Sequence, residues 1–243
     1  MAPSLSLIVT QDILDGRDCS ARLPTIRIPE ESLEDSDLLS VFDHPRPLGI
    51  SPGYSESGKL VSLSFADNDK CRIIEFQHPN KRDNRRPATD KAVVPPAIIE
   101  GRKLIQDKIL CRPMGDIFAF DMGPLAMSLY CDLGMRITSA VDIQSAFSAV
   151  ARKPISAIED ALGKEFDSVT SSKIKIKADN VKSLFLYPVY DSSDRNTVVD
   201  LAVRAWVSQF LPGYGNGEQL FEKVPRIDTN KLGAQVRSIV GFS

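Results

Sequence analysis

Lys59-Leu-Val-Ser-Leu-Ser-Phe-Ala-Asp-Asn-Asp-Lys-Cys-Arg-Ile-Ile-Glu-Phe76 is the stretch that decides the fold class. Lys59 to Phe65 alternates and is rich in apolar residues. Cys71 to Phe76 does the same, and Asp67-Asn-Asp-Lys70 between them is a tight polar turn. Alternation with a period of two marks a strand, and two such runs joined by a short polar turn read as a β-hairpin.

Upstream of the hairpin, Pro47-Leu-Gly-Ile-Ser-Pro-Gly53 is a short apolar segment ended by turn residues. The first 45 residues are irregular, with Leu5–Val9 and Thr25–Ile28 as short strand candidates. Glu30, Glu31, Glu34, Asp35 and Asp37 surround Leu33, Leu38, Leu39 and Val41. That pattern suits a short amphipathic helix whose acids favour its N-terminal end and face solvent.

Downstream, Pro79 to Lys91 is a polar insertion carrying Lys81, Arg82, Arg85, Arg86 and Lys91 against Asp83 and Asp90, the most basic local feature in the chain. A helix is expected from about Pro96 to Lys108, a buried strand at Ile117–Phe120, and a helix over Met122–Leu133 capped by Gly134. Ile137–Val141 leads into a third helix through Val150. Pro154 opens a fourth that ends at Gly163, and a fifth runs from about Thr197 to Leu211. The tail from Pro212 reads as mostly irregular, with a last helix at Lys231–Val240. Strands first, then helices alternating with further strands, indicate a layered α/β domain on a mixed sheet.

With Lys+Arg 30 against Asp+Glu 32, the net charge is −2, and 42% of residues are hydrophobic. Such a chain is an ordinary globular one, and its charge excludes a strongly basic nucleic-acid binder, so any contact with phosphates needs a local patch. Two patches qualify: Lys81, Arg82, Arg85 and Arg86, and the run Lys173, Lys175, Lys177 and Lys182. The first also reads as an exposed loop, the second as an edge strand defended by lysines. No apolar run reaches the roughly 18 residues of a membrane span, and no basic segment opens the chain as in a secretory signal, so an intracellular, nuclear or cytoplasmic protein is expected. Cys19, Cys71, Cys111 and Cys131 show no zinc spacing and read as reduced, buried thiols.

Taken together, Pro47 to Phe210, about 165 of the 243 residues, resembles the DEDD-type 3′–5′ exonuclease domain with its ribonuclease H-like fold. The hairpin matches that family's second and third strands. Ala140-Val-Asp142-Ile-Gln144 is similar to its strand-to-helix segment, Ile155 to Gly163 looks like its helix ending in Leu-Gly, and Asn196-Thr-Val-Val-Asp200-Leu-Ala resembles its last motif. The implied fold is a ribonuclease H-like mixed sheet flanked by helices, spanning 47–211, between an N-terminal extension (1–46) packing on it and a C-terminal one (212–243).

Members of this family cleave phosphodiesters with two divalent metals held by four carboxylates. Of those positions, Ser51 and Gly53 fall where the first motif has two acids, and Leu125 where the second has an Asp, with Asp121 one helical turn earlier. Asp200 is retained, but Arg195 or Asn196 stands where Tyr or His is expected. One acid of four remains, so no catalytic residues, metal or cofactor are expected. The implied function is an inactive exonuclease-like scaffold that binds protein or RNA. A protein partner is favoured, with single-stranded nucleic acid and a homo-oligomer as further options. The alternative is an active exonuclease using Mg or Mn held by Asp121, Asp142 and Asp200. Structurally, Asp121 and Asp142 also read as helix N-caps, and Asp200 as a remnant acid.

Overall fold

In the computed structural model the described residues are 6–10, 14–15, 22–42, 45–78, 94–147, 153–163, 175–176, 184–186, 189–213 and 217–231. Strands β1 (Ser6–Thr10), β2 (Leu14–Asp15) and β3 (Arg22–Pro29) come first, then a 3-10 turn at Glu30–Ser32 and helix α1 (Asp35–Phe42). Three antiparallel strands follow: β4 (Leu48–Tyr54), β5 (Leu60–Ala66) and β6 (Cys71–Glu75). The expected turn closes β5 onto β6: the Asp67 carboxylate accepts from the backbone N–H of Asp69 and of Lys70, both at 2.8 Å.

Helix α2 (Pro96–Ile105) starts on Pro96, whose missing N–H costs nothing in the first turn, and runs into a π-helical turn at Gln106–Leu110. Strand β7 (Ile117–Ala119) leads to α3 (Met122–Leu133), which ends where Gly134 takes φ 72°. Strand β8 (Ala140–Asp142), α4 (Pro154–Gly163) and β9 (Lys175–Ile176) precede the long α5 (Arg195–Gly213) and the short α6 (Gly217–Glu222).

The main sheet has the order β1-β3-β6-β5-β4-β7-β8, while β2 and β9 form a separate pair. Within it, β6-β5-β4 is an antiparallel meander, and β7 and β8 add to β4 in parallel through helical crossovers. This is the mixed α/β sheet flanked by helices that the sequence implied. Strand β3 adds in parallel outside β6, and β1 pairs with it antiparallel. The other edge is met by the C-terminal segment, where Ile227 bridges Ala140.

The sheet carries a hydrophobic core on each face. Leu48, Ile50, Leu63, Phe65 and Ile74 pack with Ile105, Ile109, Met122, Leu125 and Leu129 on the α2–α3 side. Ile73, Phe118, Val141, Leu201, Ala205 and Trp206 pack on the α5 side. Among the described residues no helix is long and apolar enough to cross a membrane.

Four local expectations are corrected. After β8 the chain makes only a 3-10 turn, Ile143–Ala146, in place of a third helix, because Asp142 folds back to accept from the Gln144 N–H (3.2 Å) and the Ser145 hydroxyl (2.9 Å). The acids at 30–37 do not all face solvent: Glu30 is fully buried, clasped by Arg102 at 2.8 and 3.1 Å. Cys131 is exposed and Cys111 half-buried, so only Cys71 of the described thiols lies in the core. The tail contains the ordered helix α6, whose Phe221 packs edge-on against Phe118. The expected helix at Lys231–Val240 lies outside the described residues beyond Lys231.

Candidate functional site

Strand β4 is where the resemblance locates the first two carboxylates, and its two sides differ sharply. Leu48 and Ile50 point into the α2–α3 core. The alternate residues Gly49, Ser51 and Gly53 face α5. On that face β5 opposes them with Ala66, Ser64 and Ser62, so this part of the sheet has no large side chain. The footprint is shaped for close approach by a helix. A Cβ on Gly49 would lie 1.9 Å from the Ala205 carbonyl oxygen and 2.5 Å from the Gln209 nitrogen, both on α5. Pro52 is tolerated in mid-sheet because β4 pairs with β7 only at Leu48 and Gly49 and has β5 alone as a neighbour beyond them.

Into this shallow face α5 projects Arg204, which is 3% exposed. Its guanidinium donates to the Ser51 hydroxyl at 3.0 Å, to the Leu184 carbonyl at 2.9 Å and to the Pro52 carbonyl at 3.4 Å. One strand position further on, the Tyr190 ring covers Gly53: a Cβ there would meet the Ser62 hydroxyl at 2.1 Å and the Tyr190 side chain at 3.0 Å. Tyr190 is itself fixed. Its N–H donates to the Tyr54 carbonyl (2.8 Å) and its hydroxyl to the Glu75 carboxylate (2.7 Å), which also pairs with Arg27 at 2.6 Å. Burial, reinforced by that carboxylate, pushes the Tyr190 phenol far up, so it stays a neutral donor.

Both positions expected to carry acids are therefore filled by other side chains of this chain. A divalent cation needs hard oxygen ligands, preferably charged. Here the donor set is a serine hydroxyl and main-chain carbonyls already bound to a guanidinium that carries a permanent positive charge. A second cation beside it would meet repulsion in a buried setting, where charges are poorly screened. The residues present do not fit a two-metal centre.

The remaining acids come from three different elements. Asp121 sits two residues beyond β7 in the left-handed region (φ 52°, ψ 43°), at the N-terminus of α3 but with no side-chain capping bond. Its N–H donates to the Gln144 side chain at 2.8 Å. Burial raises the Tyr54 phenol, the Ser128 contact lowers it, and the charges of Asp121 and Asp132 raise it further. Asp142, paired in register with Ala119, caps the 3-10 turn as the sequence suggested. Asp200 lies on α5 one turn before Arg204. Burial raises its carboxyl, Arg204 opposes this, and Asp194 raises it further. Among the described residues no three of His, Cys, Asp or Glu gather where they could hold a metal ion. Leu125 is fully buried in the α3 side of the core.

The basic candidates are only partly placed. Lys81, Arg82, Arg85 and Arg86 lie outside the described residues, as do Lys173, Lys177 and Lys182. Lys175 is in β9, and its backbone pairs with Asp15 of β2.

Sequence reasoning missed Arg204, Tyr190, Glu75 and Arg27. One signal was available: Arg204 is a lone charge in Leu201-Ala-Val-Arg-Ala-Trp-Val207, and a charge inside a wholly apolar helical stretch announces a buried partner.

No family model and no curated protein matches the chain. Among solved structures, the crystal structure of Trypanosoma brucei RNase D is similar at a TM-score of 0.46 and 14% identity, over 86% of this chain and 70% of that one. The EXD2 exonuclease domain, soaked in Mn and dGMP, is similar at a TM-score of 0.35 and 14% identity, over 82% of this chain and 94% of that one.

Proposed function

We propose that this exonuclease-like domain is a binding scaffold that does not hydrolyse phosphodiesters, with a protein as its principal client. One observation carries the reading: the Arg204 guanidinium is bound to Ser51 and Pro52 at the strand position where the resemblance calls for metal-binding acids. Changing a carboxylate to serine removes a ligand, and placing a permanent cation there also repels the metal that ligand would have held. Both changes act in one direction. Leu184 and Tyr190 support it, since each is fastened to this region, Leu184 by Arg204 and Tyr190 by the Tyr54 carbonyl of β4. A protein client is favoured over RNA because the net charge is −2 and only 7% of residues are aromatic, which leaves few stacking platforms for bases.

A labelled single-stranded oligoribonucleotide and its DNA counterpart, incubated with the protein in Mg²⁺ and then Mn²⁺, should remain intact. Shortening from the 3′ end that disappears in Asp200→Ala would overturn the proposal. Intact but salt-sensitively bound RNA, released when Lys81, Arg82, Arg85 and Arg86 are neutralised together, would make nucleic acid the client.

A further inference from the structure

The end of the sheet where β4 and β7 finish keeps apolar side chains in water. Phe185 is fixed there, its ring edge-on to that of Phe120, directly after β7, at 4.6 Å between centroids. Tyr190 is fixed there too, its N–H donating to the carbonyl of Tyr54, the last residue of β4, at 2.8 Å. From the other side α3 reaches the same tyrosine, with the Ser128 hydroxyl 3.5 Å from the Tyr54 hydroxyl. Each of these anchored residues has an exposed apolar neighbour in sequence: Leu186 beside Phe185 at 78%, Val189 beside Tyr190 at 47% and Met127 beside Ser128 at 50%. They are three of the six large apolar side chains left exposed among the described residues, so exposure is grouped at this end of the sheet rather than scattered, which is what marks a contact surface. Because the neighbouring residues are held, covering these side chains costs little further ordering.

The charges around this apolar group are mostly negative. Asp191 accepts from the Ser193 hydroxyl (2.7 Å) and N–H (2.8 Å), Asp194 from the Asn196 N–H (2.9 Å) and Asp132 from the Leu60 N–H (3.0 Å). Every one of these donors is neutral, so the bonds place the carboxylates without cancelling their charge. The bonds from Ser193 also hold the Asp191 carboxyl below its ordinary value. Asp121 and Asp132 lie close enough for their charges to act on the Tyr54 phenol. Arg195, at the start of α5, and Lys59, just before β5, are exposed cations of the same region, while Arg204 is buried against β4. With Asp121, Asp132, Asp191 and Asp194 set against Arg195 and Lys59, the rim is negative. Such a field repels phosphates and draws lysine or arginine.

Resting on the protein-client reading above, we propose that this end of the sheet docks a partner segment that sets an aliphatic or aromatic anchor against Leu186, Val189 and Met127 and offers lysine or arginine to Asp132, Asp191 and Asp194. Random peptides displayed on phage and panned against the full chain test this. The expected result is enrichment of peptides in which large apolar residues stand beside lysine or arginine. A selected peptide, labelled for fluorescence anisotropy, should bind Leu186→Ser at least about tenfold more weakly. The urea midpoint of that variant should stay close to wild type, because the side chain it removes is exposed. Asp191→Asn combined with Asp194→Asn keeps both acceptors and removes both charges, so it should weaken binding about threefold and flatten its dependence on salt. Selected peptides that are acidic, or that bind Leu186→Ser as tightly as wild type, would overturn this surface and leave the protein-client reading in place. Absence of any enriched peptide would also overturn it, and salt-sensitive binding of a labelled oligoribonucleotide in that case would take the protein-client reading with it.

Discussion

The two faces of the sheet around β4 and β5 are built on opposite principles. Toward α2 and α3 the strands present Leu48, Ile50, Leu63 and Phe65, fully or almost fully buried, and the helices stand off by the thickness of interlocked side chains. Toward α5 the same strands present Gly49, Ser51, Gly53, Ser62, Ser64 and Ala66, and the helix comes down until main-chain atoms touch the strand. The first face is held by apolar volume. On the second there is little volume to bury, and specificity comes from Arg204 and Tyr190, which reach polar atoms of the backbone.

Truncation on the large face should be the most damaging change. Phe65→Ala leaves a cavity beneath α3 and is expected to cost about 4 kcal/mol in urea unfolding. On the small face the vulnerable direction is reversed, because enlarging a residue does the harm. Gly49→Ala drives a methyl into the Ala205 carbonyl and is expected to cost about 3 kcal/mol, at the upper end for overpacking, since backbone cannot rotate aside. If Gly49→Ala were silent, the claim of direct helix-to-strand contact would be wrong.

Arg204→Met should cost about 2 kcal/mol, smaller than either, because it leaves the Ser51 hydroxyl and the Leu184 carbonyl buried with one donor fewer. Arg204→Lys keeps the charge but cannot span three acceptors with one fork, so it should restore only part of the loss. A fully stable Arg204→Met would show that apolar packing serves both faces alike.

The smallest effect concerns pH. The Asp200 carboxyl is raised, so the folded state holds its proton more tightly than the unfolded chain does. Stability from this group is complete below the ordinary aspartate value near 3.9 and is lost as pH rises through the raised folded value. Over that window the wild-type urea midpoint should fall slightly relative to Asp200→Asn, which has nothing to titrate. A midpoint that rises instead would place Asp200 under the control of Arg204.

What could be read from the sequence was what is local. The β5–β6 hairpin follows from alternation and four turn residues, and α3 from apolar spacing ended by Gly134. That Ser51 and Gly53 are not acids is equally plain, yet the sequence does not say which side chains they meet in the fold. Arg204 is 153 residues from Ser51 and Tyr190 is 115 from Glu75, and no local pattern links such pairs. Glu30 differs from its sequence pattern for the same reason. It stands in an acidic run that looks solvated, but its partner Arg102 comes from a helix 72 residues later. The turn after β8 reads as a helix because apolar residues at Ile143, Ala146 and Phe147 mimic the period, whereas Asp142 and Ser145 offer side-chain bonds that compete with helix formation.

The parallel pairing of β3 with β6 has a consequence for how the chain is made. Thr25 is opposite Cys71, so β3 is synthesised 46 residues ahead of the strand it must join. At about 5–20 residues per second that is a wait of roughly 2 to 9 s. During it β3 has β1 alone of its two neighbours in the described sheet, and a lone two-stranded ribbon is marginal in water. The edge later covered by β6 is thus open to any other strand nearby, and the molecule's most exposed moment comes before its central hairpin exists.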